Sequence, residues 1–257
     1  MLSKHYTNMK VTFPDAKALK KIVPIVADLI SEGQFVATPE GIRLVAMDPA
    51  NIAMVIWEMK PEAFIDYEIE GDKEVITINM DDLKTIVKKL KQKEMVSWEV
   101  DKEKNKLNII ARGTIKKRFS IPLLEAEEQE FPTPELEYKN TAELDAKAIK
   151  EIIDDASAIA DALIMKAEPP NKLILKAEGE MKEMEVELTE GEDAVISLDI
   201  GEEARAIYSL DYLKKFAKGA DVSDVAILKF KSDYPLWLEY RYLDKMILTF
   251  ILAPRTE

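Results

Sequence analysis

Apolar residues recur with two different periods along this chain, and the switches between them mark out its elements. Four segments carry the three-and-four spacing of a helix with one buried face. In the first, Leu19, Ile22, Val23, Val26, Leu29 and Ile30 form a stripe, with Pro14 near its start and Gly33 after its end, the asymmetry that helix termini favour. The second is expected over 81–91, with Leu83, Ile86, Val87 and Leu90 inward. Asp81 and Asp82 stand at its start, where the helix dipole favours anions. The third is expected over 145–163, burying Ile149, Ile152, Ile153, Ala156 and Leu163. The fourth is expected over 210–218, burying Leu210, Leu213 and Ala217, with Gly219 as a terminating residue. Elsewhere the period is two. Met184, Val186 and Leu188 alternate with Glu183, Glu185 and Glu187, and Leu236, Leu238 and Tyr240 alternate with Trp237, Glu239 and Arg241. That alternation predicts strands with one buried and one wet face, the antiparallel habit.

The elements come twice. Asp15-Ala-Lys-Ala-Leu-Lys-Lys-Ile22 returns as Asp145-Ala-Lys-Ala-Ile-Lys-Glu-Ile152, and Asp81-Asp-Leu-Lys-Thr-Ile-Val-Lys88 returns as Asp211-Tyr-Leu-Lys-Lys-Phe-Ala-Lys218, both 130 residues later. So long a period signals a duplicated domain rather than a solenoid. The predicted fold is α+β: two copies of a domain made of an antiparallel sheet with two helices on one face. Residues 124–136, acidic and carrying Pro132 and Pro134, read as an extended linker. The domains are accordingly expected over 9–123 and 137–257. Phe131 is out of place in a solvated linker. Residues 1–8 lack the apolar core of a signal peptide and are expected to form a disordered extension, with Met9 as an alternative start.

Composition removes whole classes of function. The 257 residues are 47% hydrophobic, enough for a core in each half, and contain no cysteine, so disulfides and thiolate metal sites are excluded. The absence of cysteine fits a reducing cytoplasm, and together with the 33% charged content it also fits a hot one. No apolar run reaches the ~18 residues of a membrane span. The single histidine, His5, lies in the expected extension, and no two of the eight glycines are one residue apart, so neither a dinucleotide fingerprint nor a phosphate loop is present. Asp154-Asp155 is the kind of acid pair that holds Mg²⁺, but among 49 acidic residues such neighbours arise by chance. No catalytic residues, cofactor or metal are expected. The competing classes are an acid-rich, metal-dependent hydrolase and a generic interaction scaffold.

The net charge of −13 argues against nucleic acid, yet the helices deviate from it. Lys17, Lys20 and Lys21 lie on the polar face of the first, Lys84, Lys88, Lys89 and Lys91 on the second, and Lys214, Lys215 and Lys218 on the fourth. The third offers Lys147 and Lys150, then turns acidic at Glu151, Asp154 and Asp155. Lysines without interleaved aromatics suit contacts to phosphates, which position a protein without reading sequence. Two strands are oppositely charged: Lys116, Lys117 and Arg118 on one, Glu183, Glu185 and Glu187 on the other.

Three stretches carry a resemblance. Gly41-Ile-Arg-Leu-Val-Ala-Met-Asp-Pro-Ala-Asn-Ile-Ala-Met54, Tyr208-Ser-Leu-Asp-Tyr-Leu-Lys-Lys-Phe-Ala-Lys-Gly219 and Leu248-Thr-Phe-Ile-Leu-Ala-Pro-Arg255 resemble, in order, motifs of the DNA polymerase sliding clamps of archaea and eukaryotes. Leu175-Lys-Ala-Glu-Gly-Glu180 is similar to the archaeal branch, the archaeal proliferating cell nuclear antigens. The resemblance spans about residues 9–257. It implies a three-subunit ring around duplex DNA, helices inside and sheets outside. Such a ring has no catalysis of its own and is loaded by a clamp loader. It tethers DNA polymerase, flap endonuclease and DNA ligase through short hydrophobic peptides. Tethering works by effective concentration. By the same resemblance Lys17, Lys20, Lys21, Lys84, Lys88, Lys147, Lys150, Lys214, Lys215 and Lys218 face the DNA. Met47, Asn51, Ile52, Met54, Phe131, Pro235, Ile251, Ala253 and Pro254 form the peptide pocket. Lys88, Lys116, Lys117 and Arg118 meet Glu151, Asp154, Asp155, Glu183, Glu185 and Glu187 across the subunit boundary. Ile251 and Thr256 depart from the aromatic and aliphatic residues common in eukaryotic clamps. A cytoplasmic, nucleoid-associated homotrimer is expected. The alternative is a specialised paralogue serving in a heterotrimeric or checkpoint-type ring.

Overall fold

The computed structural model describes residues 8–256. The extension expected over residues 1–8 therefore lies outside the described residues except for Asn8. Asn8 is no part of a free tail: its N–H donates to the Val100 carbonyl at 3.2 Å and its amide to Glu70 at 2.7 Å. The first copy of the domain runs β1 (Met9–Phe13), α1 (Lys17–Ala27), β2 (Glu32–Thr38), β3 (Gly41–Met47), β4 (Ala53–Met59), β5 (Asp66–Ile69), β6 (Glu74–Asn79), α2 (Met80–Lys89), β7 (Met95–Asp101), β8 (Lys106–Arg112) and β9 (Lys116–Pro122). The second runs β10 (Asn140–Asp145), α3 (Ala146–Ser157), β11 (Ala162–Glu168), β12 (Lys172–Glu178), β13 (Glu183–Thr189), β14 (Val195–Ile200), β15 (Ala204–Ser209), α4 (Leu210–Ala217), β16 (Val225–Phe230), β17 (Leu236–Tyr242) and β18 (Met246–Leu252). The sequence repeat holds element by element. β2, β4, β6, β8 and β9 reappear with the same bounds 130 positions later, as β11, β13, β15, β17 and β18. Pairing follows: β5-β1-β7-β8-β9 has its counterpart in β14-β10-β16-β17-β18, and β6-β2-β3-β4 in β15-β11-β12-β13.

Packing divides the chain less simply than the repeat does. One compact unit takes the chain through Ala46, Ile56–Pro132 and Tyr242–Ile247; the other takes Met47–Val55, Thr133–Arg241 and Leu248 onward. The turn between β3 and β4 thus packs with the second half, although the first half encodes it. In the first unit Trp98 is wedged edge-on between Phe13 and Phe35 at 5.3 and 5.6 Å. In the second, Phe216 of α4 stacks on Phe250 of β18 at 4.5 Å.

Local chemistry explains the helix ends, including those the sequence misplaces. Asn79 accepts from the Asp82 N–H at 3.0 Å and Asp145 from the Ala148 N–H at 2.8 Å, each satisfying a donor that the first turn leaves open. The first helix stops at Ala27; Gly33 is not its terminator but lies in β2, where a Cβ would meet Met80 Sδ at 2.5 Å. The third stops at Ser157, with Leu163 in β11, because the Ile159 and Ala160 N–H groups fold back onto the Ala156 carbonyl at 2.9 and 3.0 Å. Gly219 is no left-handed terminator; it is required because a Cβ there would lie 2.2 Å from the Tyr240 ring. The wet face expected of β17 holds for Arg241 but not for Glu239, which is buried and accepts from Trp237 Nε1 at 3.1 Å and Arg241 Nε at 2.6 Å.

The linker has no helix or strand, as expected, but it is not loose. Leu124 donates to the Thr77 carbonyl at 2.8 Å, and the Gln34 side chain donates to the Glu127 carbonyl at 3.1 Å and accepts from the Gln129 N–H at 2.8 Å. Lys73 pairs with Glu128. Phe131 is half-buried in the first unit. No described helix is long and apolar enough to cross a membrane.

Candidate DNA face, peptide pocket and sheet edges

The helices hold the lysines at the polar positions of amphipathic stripes, but the ten are not equivalent. Lys17, Lys21, Lys88, Lys147, Lys214 and Lys218 are exposed. Lys20 is not available: its ammonium donates to the carbonyls of Val87, Lys88 and Leu90 at 3.2, 3.3 and 2.6 Å. It closes the open carbonyl end of α2, where the helix dipole favours a cation. Lys84 is held 2.9 Å from Asp28, and Lys150 2.7 Å from Asp154, whose hydrogen bond keeps the ammonium pKa above its usual value. Lys215 is half-buried with its charge 5.7 Å from the Tyr212 ring centre. The face expected to meet phosphate is thus narrower than the sequence implied.

The two charged strands are both sheet edges, β9 closing one sheet and β13 another. On β9, Lys116 and Arg118 point outward, with Arg118 3.8 Å from Glu99. Lys117 turns inward instead, 2.7 Å from the buried Glu94 and 3.3 Å from the Lys89 carbonyl. Burial pushes the Glu94 carboxyl up, but Lys117 and the Lys91 N–H outweigh that and hold it below its usual value. On β13, Glu183, Glu185 and Glu187 are exposed; Glu187 lies 3.5 Å from Lys172 and Glu183 3.9 Å from Lys176. Glu151, Asp154 and Asp155 are exposed on α3.

The loop between β3 and β4 carries Asn51 and Ile52 of the expected pocket and is flanked by Met47 and Met54, and its shape comes from Asp48. The Asp48 carboxylate is buried and accepts the N–H groups of Ile52 at 2.7 Å, Ala53 at 2.8 Å and Ala50 at 3.3 Å. It also accepts the Tyr212 hydroxyl of α4. Burial pushes this carboxyl up; the four hydrogen bonds more than reverse that, leaving it below its usual value. Burial, and then the Asp48 charge, push the Tyr212 phenol up to about 12. Asn51 adopts the left-handed region, φ 56°, which asparagine tolerates better than most residues. The loop therefore presents Ile52, 40% exposed, beside half-buried Met47 and Met54. Its far side is fixed by the Ala253 N–H, which donates to the Ile52 carbonyl at 3.0 Å. Half-buried Pro235, Ala253 and Pro254 belong to the same unit. Ile251 is buried, 6% exposed, in the same unit. The one available signal for Asp48 was the Asp-Pro-Ala-Asn run, since an aspartate at a turn bonds the N–H groups that follow. Its tyrosine partner is 164 residues away. No group of three metal-ligating side chains occurs among the described residues.

Comparison with known proteins then bears on both halves. The proliferating cell nuclear antigen N-terminal domain family matches residues 8–128, and the C-terminal domain family matches residues 132–255. The chain is 82% identical over 249 residues to a DNA polymerase sliding clamp of Nanoarchaeum equitans, covering 97% of this chain and all of that one. It is 37% identical over 248 residues to DNA polymerase sliding clamp 1 of Thermococcus kodakarensis, covering 96% and 98%. A solved proliferating cell nuclear antigen from Thermococcus kodakaraensis superposes with a TM-score of 0.90 at 25% identity, over 96% of this chain and all of that one.

Proposed function

We propose, for a chain that belongs to the proliferating cell nuclear antigen family, that three copies close head to tail around duplex DNA and carry replication and repair enzymes along it. The protein is a DNA polymerase sliding clamp, a processivity factor rather than an enzyme. One observation supports the ring in particular. Residues Leu248–Leu252 of β18 and Ala53–Val55 of β4 share a unit and are neighbours in the sheet order. Their counterparts 130 positions away, β9 and β13, are both unpaired edges. A contact of the same kind between β9 of one copy and β13 of the next satisfies both edges, and a head-to-tail contact that closes gives a ring. Lys116 and Arg118 facing the β13 glutamates set the direction. Exposed ion pairs contribute only about 0.2–1 kcal/mol each, so backbone pairing and apolar contacts carry most of the affinity.

Within that ring Lys17, Lys21, Lys88, Lys147, Lys214 and Lys218 meet phosphates, a weak, salt-dependent contact suited to sliding. The Met47–Met54 loop with Pro235, Ala253 and Pro254 takes the aromatic anchors of client peptides from DNA polymerase, flap endonuclease, DNA ligase and the clamp loader. Methionines suit a surface that must repack around several partners. A specialised paralogue confined to mixed rings is not favoured, given 82% identity to a DNA polymerase sliding clamp.

Light scattering on the chain alone tests the ring: three times the 29.2 kDa chain mass is expected at micromolar concentration. Reversing Lys116 and Arg118 to glutamate should give monomers, and reversing Glu183, Glu185 and Glu187 as well should restore trimers in part. A wild-type chain that stays monomeric overturns the homotrimer.

A further inference from the structure

Beside the expected peptide pocket lies a groove that the pocket does not explain. It is lined by Leu136, Glu137, Tyr138, Lys139, Thr141, Glu202, Lys229 and Lys231. Its charges divide into two groups. Lys139 and Glu202 neutralise each other at 3.5 Å. Lys229 and Lys231 make no ion pair among the described residues. Each is held over an aromatic ring instead, Lys229 at 5.7 Å from the Trp237 centroid and Lys231 at 5.3 Å from that of Tyr234. A cation seated on a ring face is attracted by the ring quadrupole while its outer side stays open to a second partner. The lysine chains are thereby partly ordered before any ligand arrives, which lowers the entropy lost when one binds. With Glu202 taken by Lys139, only Glu137 opposes these two cations within the groove.

The groove is also continuous with the pocket. The Tyr138 hydroxyl donates to the Pro235 carbonyl at 2.7 Å, and the Tyr138 and Tyr234 rings meet edge to face at 5.6 Å. Pro235 belongs to the expected pocket, and Tyr234 carries Lys231. A peptide anchored against Pro235 therefore has its flanking residues within a few side-chain lengths of both lysines.

We propose that this groove is a second subsite for client peptides, and that it takes an acidic stretch, glutamates or aspartates, adjoining the hydrophobic anchor motif. The proposal rests on the pocket reading above. Lys229 and Lys231 contribute affinity and on-rate through charge, and they discriminate among clients that share the same anchors. Trp237 and Tyr234 hold the lysines in place. A nucleic-acid strand is the other polyanion that such a groove attracts, but the bond to Pro235 ties the groove to the peptide side of the molecule.

Fluorescence polarisation with three synthetic peptides tests this. All carry the same hydrophobic motif with aromatic anchors, flanked at both ends by four glutamates, four serines or four lysines. At low salt the glutamate-flanked peptide should bind the wild-type ring about five-fold tighter than the serine-flanked one, as two partly exposed charge pairs imply. The lysine-flanked peptide should bind most weakly. The Lys229→Gln/Lys231→Gln variant should bind the serine-flanked peptide normally and lose the glutamate preference. The preference should also shrink towards 0.5 M salt, where screening is short-ranged. Equal wild-type affinities for the glutamate and serine flanks, or a preference that survives in the double variant, overturn the subsite and leave the pocket intact. No binding of the serine-flanked peptide sinks the pocket reading and the subsite together. A single-stranded oligonucleotide that displaces the glutamate flank from the wild type, and does not bind the variant, reassigns the groove to nucleic acid.

Discussion

Removing one hydroxyl should loosen the client loop without disturbing the fold around it. Tyr212→Phe keeps the ring against Phe216, its neighbour at 6.2 Å, and deletes only the donor to Asp48. A hydrogen bond to a charged partner contributes about 1.5–3 kcal/mol. Two facts lower that here. Asp48 keeps three backbone donors, from Ala50, Ile52 and Ala53. Tyr212 is only half-buried, so water can replace part of what is lost. The expected cost is about 1–2 kcal/mol, a five- to thirty-fold rise in the loop's opening equilibrium. Hydrogen exchange reads this directly. The Ile52 and Ala53 amides, which donate to Asp48, should exchange five to thirty times faster, while amides in β7 and β8 keep their protection. Affinity for an anchor peptide should fall by a similar or smaller factor, since binding must first restore the loop. If Ile52 and Ala53 exchange at wild-type rates in Tyr212→Phe, the hydroxyl does not hold the loop.

Asp48 also imposes a pH dependence. Its folded pKa lies below the ordinary 3.8, so its contribution is fully present above that value and is lost as pH falls through the folded pKa. Asp48→Asn should therefore melt lower than wild type near neutrality, and the gap should narrow in melting curves taken below about pH 3.8. Gly219→Ala should cost about 1–3 kcal/mol or more, from overpacking against the Tyr240 ring, and is checked by chemical denaturation. Lys20→Met keeps the aliphatic stem but takes the ammonium from three carbonyls at the end of α2, of which Val87 keeps the Leu90 N–H; a loss of about 1–2 kcal/mol is expected, with little change in DNA-dependent polymerase stimulation. Replacing Lys17, Lys21, Lys88, Lys147, Lys214 and Lys218 with glutamine together should abolish that stimulation at moderate salt while trimers persist.

What the sequence made legible was whatever depends on local period. The alternation in β13 and β17 and the stripes of the four helices place the layers, and two short matches at one spacing are enough to expose a duplication that extends to strand bounds. What it hid depends on contacts between distant residues or on backbone angles. Lys20 looks like any other lysine on a basic face, because the carbonyls that claim it belong to another helix. Gly219 looks like a helix terminator, because nothing in the local sequence reveals the Tyr240 ring above it. Lys117 alternates with Lys116 and Arg118, so strand geometry alone sends it to the opposite face. Ile251 is buried because β18 has apolar residues on both faces, a pattern that marks a strand covered on both sides.

The assignment of Met47–Val55 to the second unit has a consequence for synthesis. A ribosome delivers this loop early, but the groups that fix it come late. Asp48 waits for Tyr212, and the Ile52 carbonyl waits for Ala253, later still. Closing such long spans is slow, because chain entropy must be lost before the contacts repay it. The nascent first half carries Phe13, Phe35 and Trp98, yet it lacks both Tyr242–Ile247, which complete its own unit, and the groups that shape the Met47–Val55 loop. A partly made chain thus has an unformed handle: under the proposed pocket, client enzymes gain their grip only after Tyr212 and Ala253 have been made.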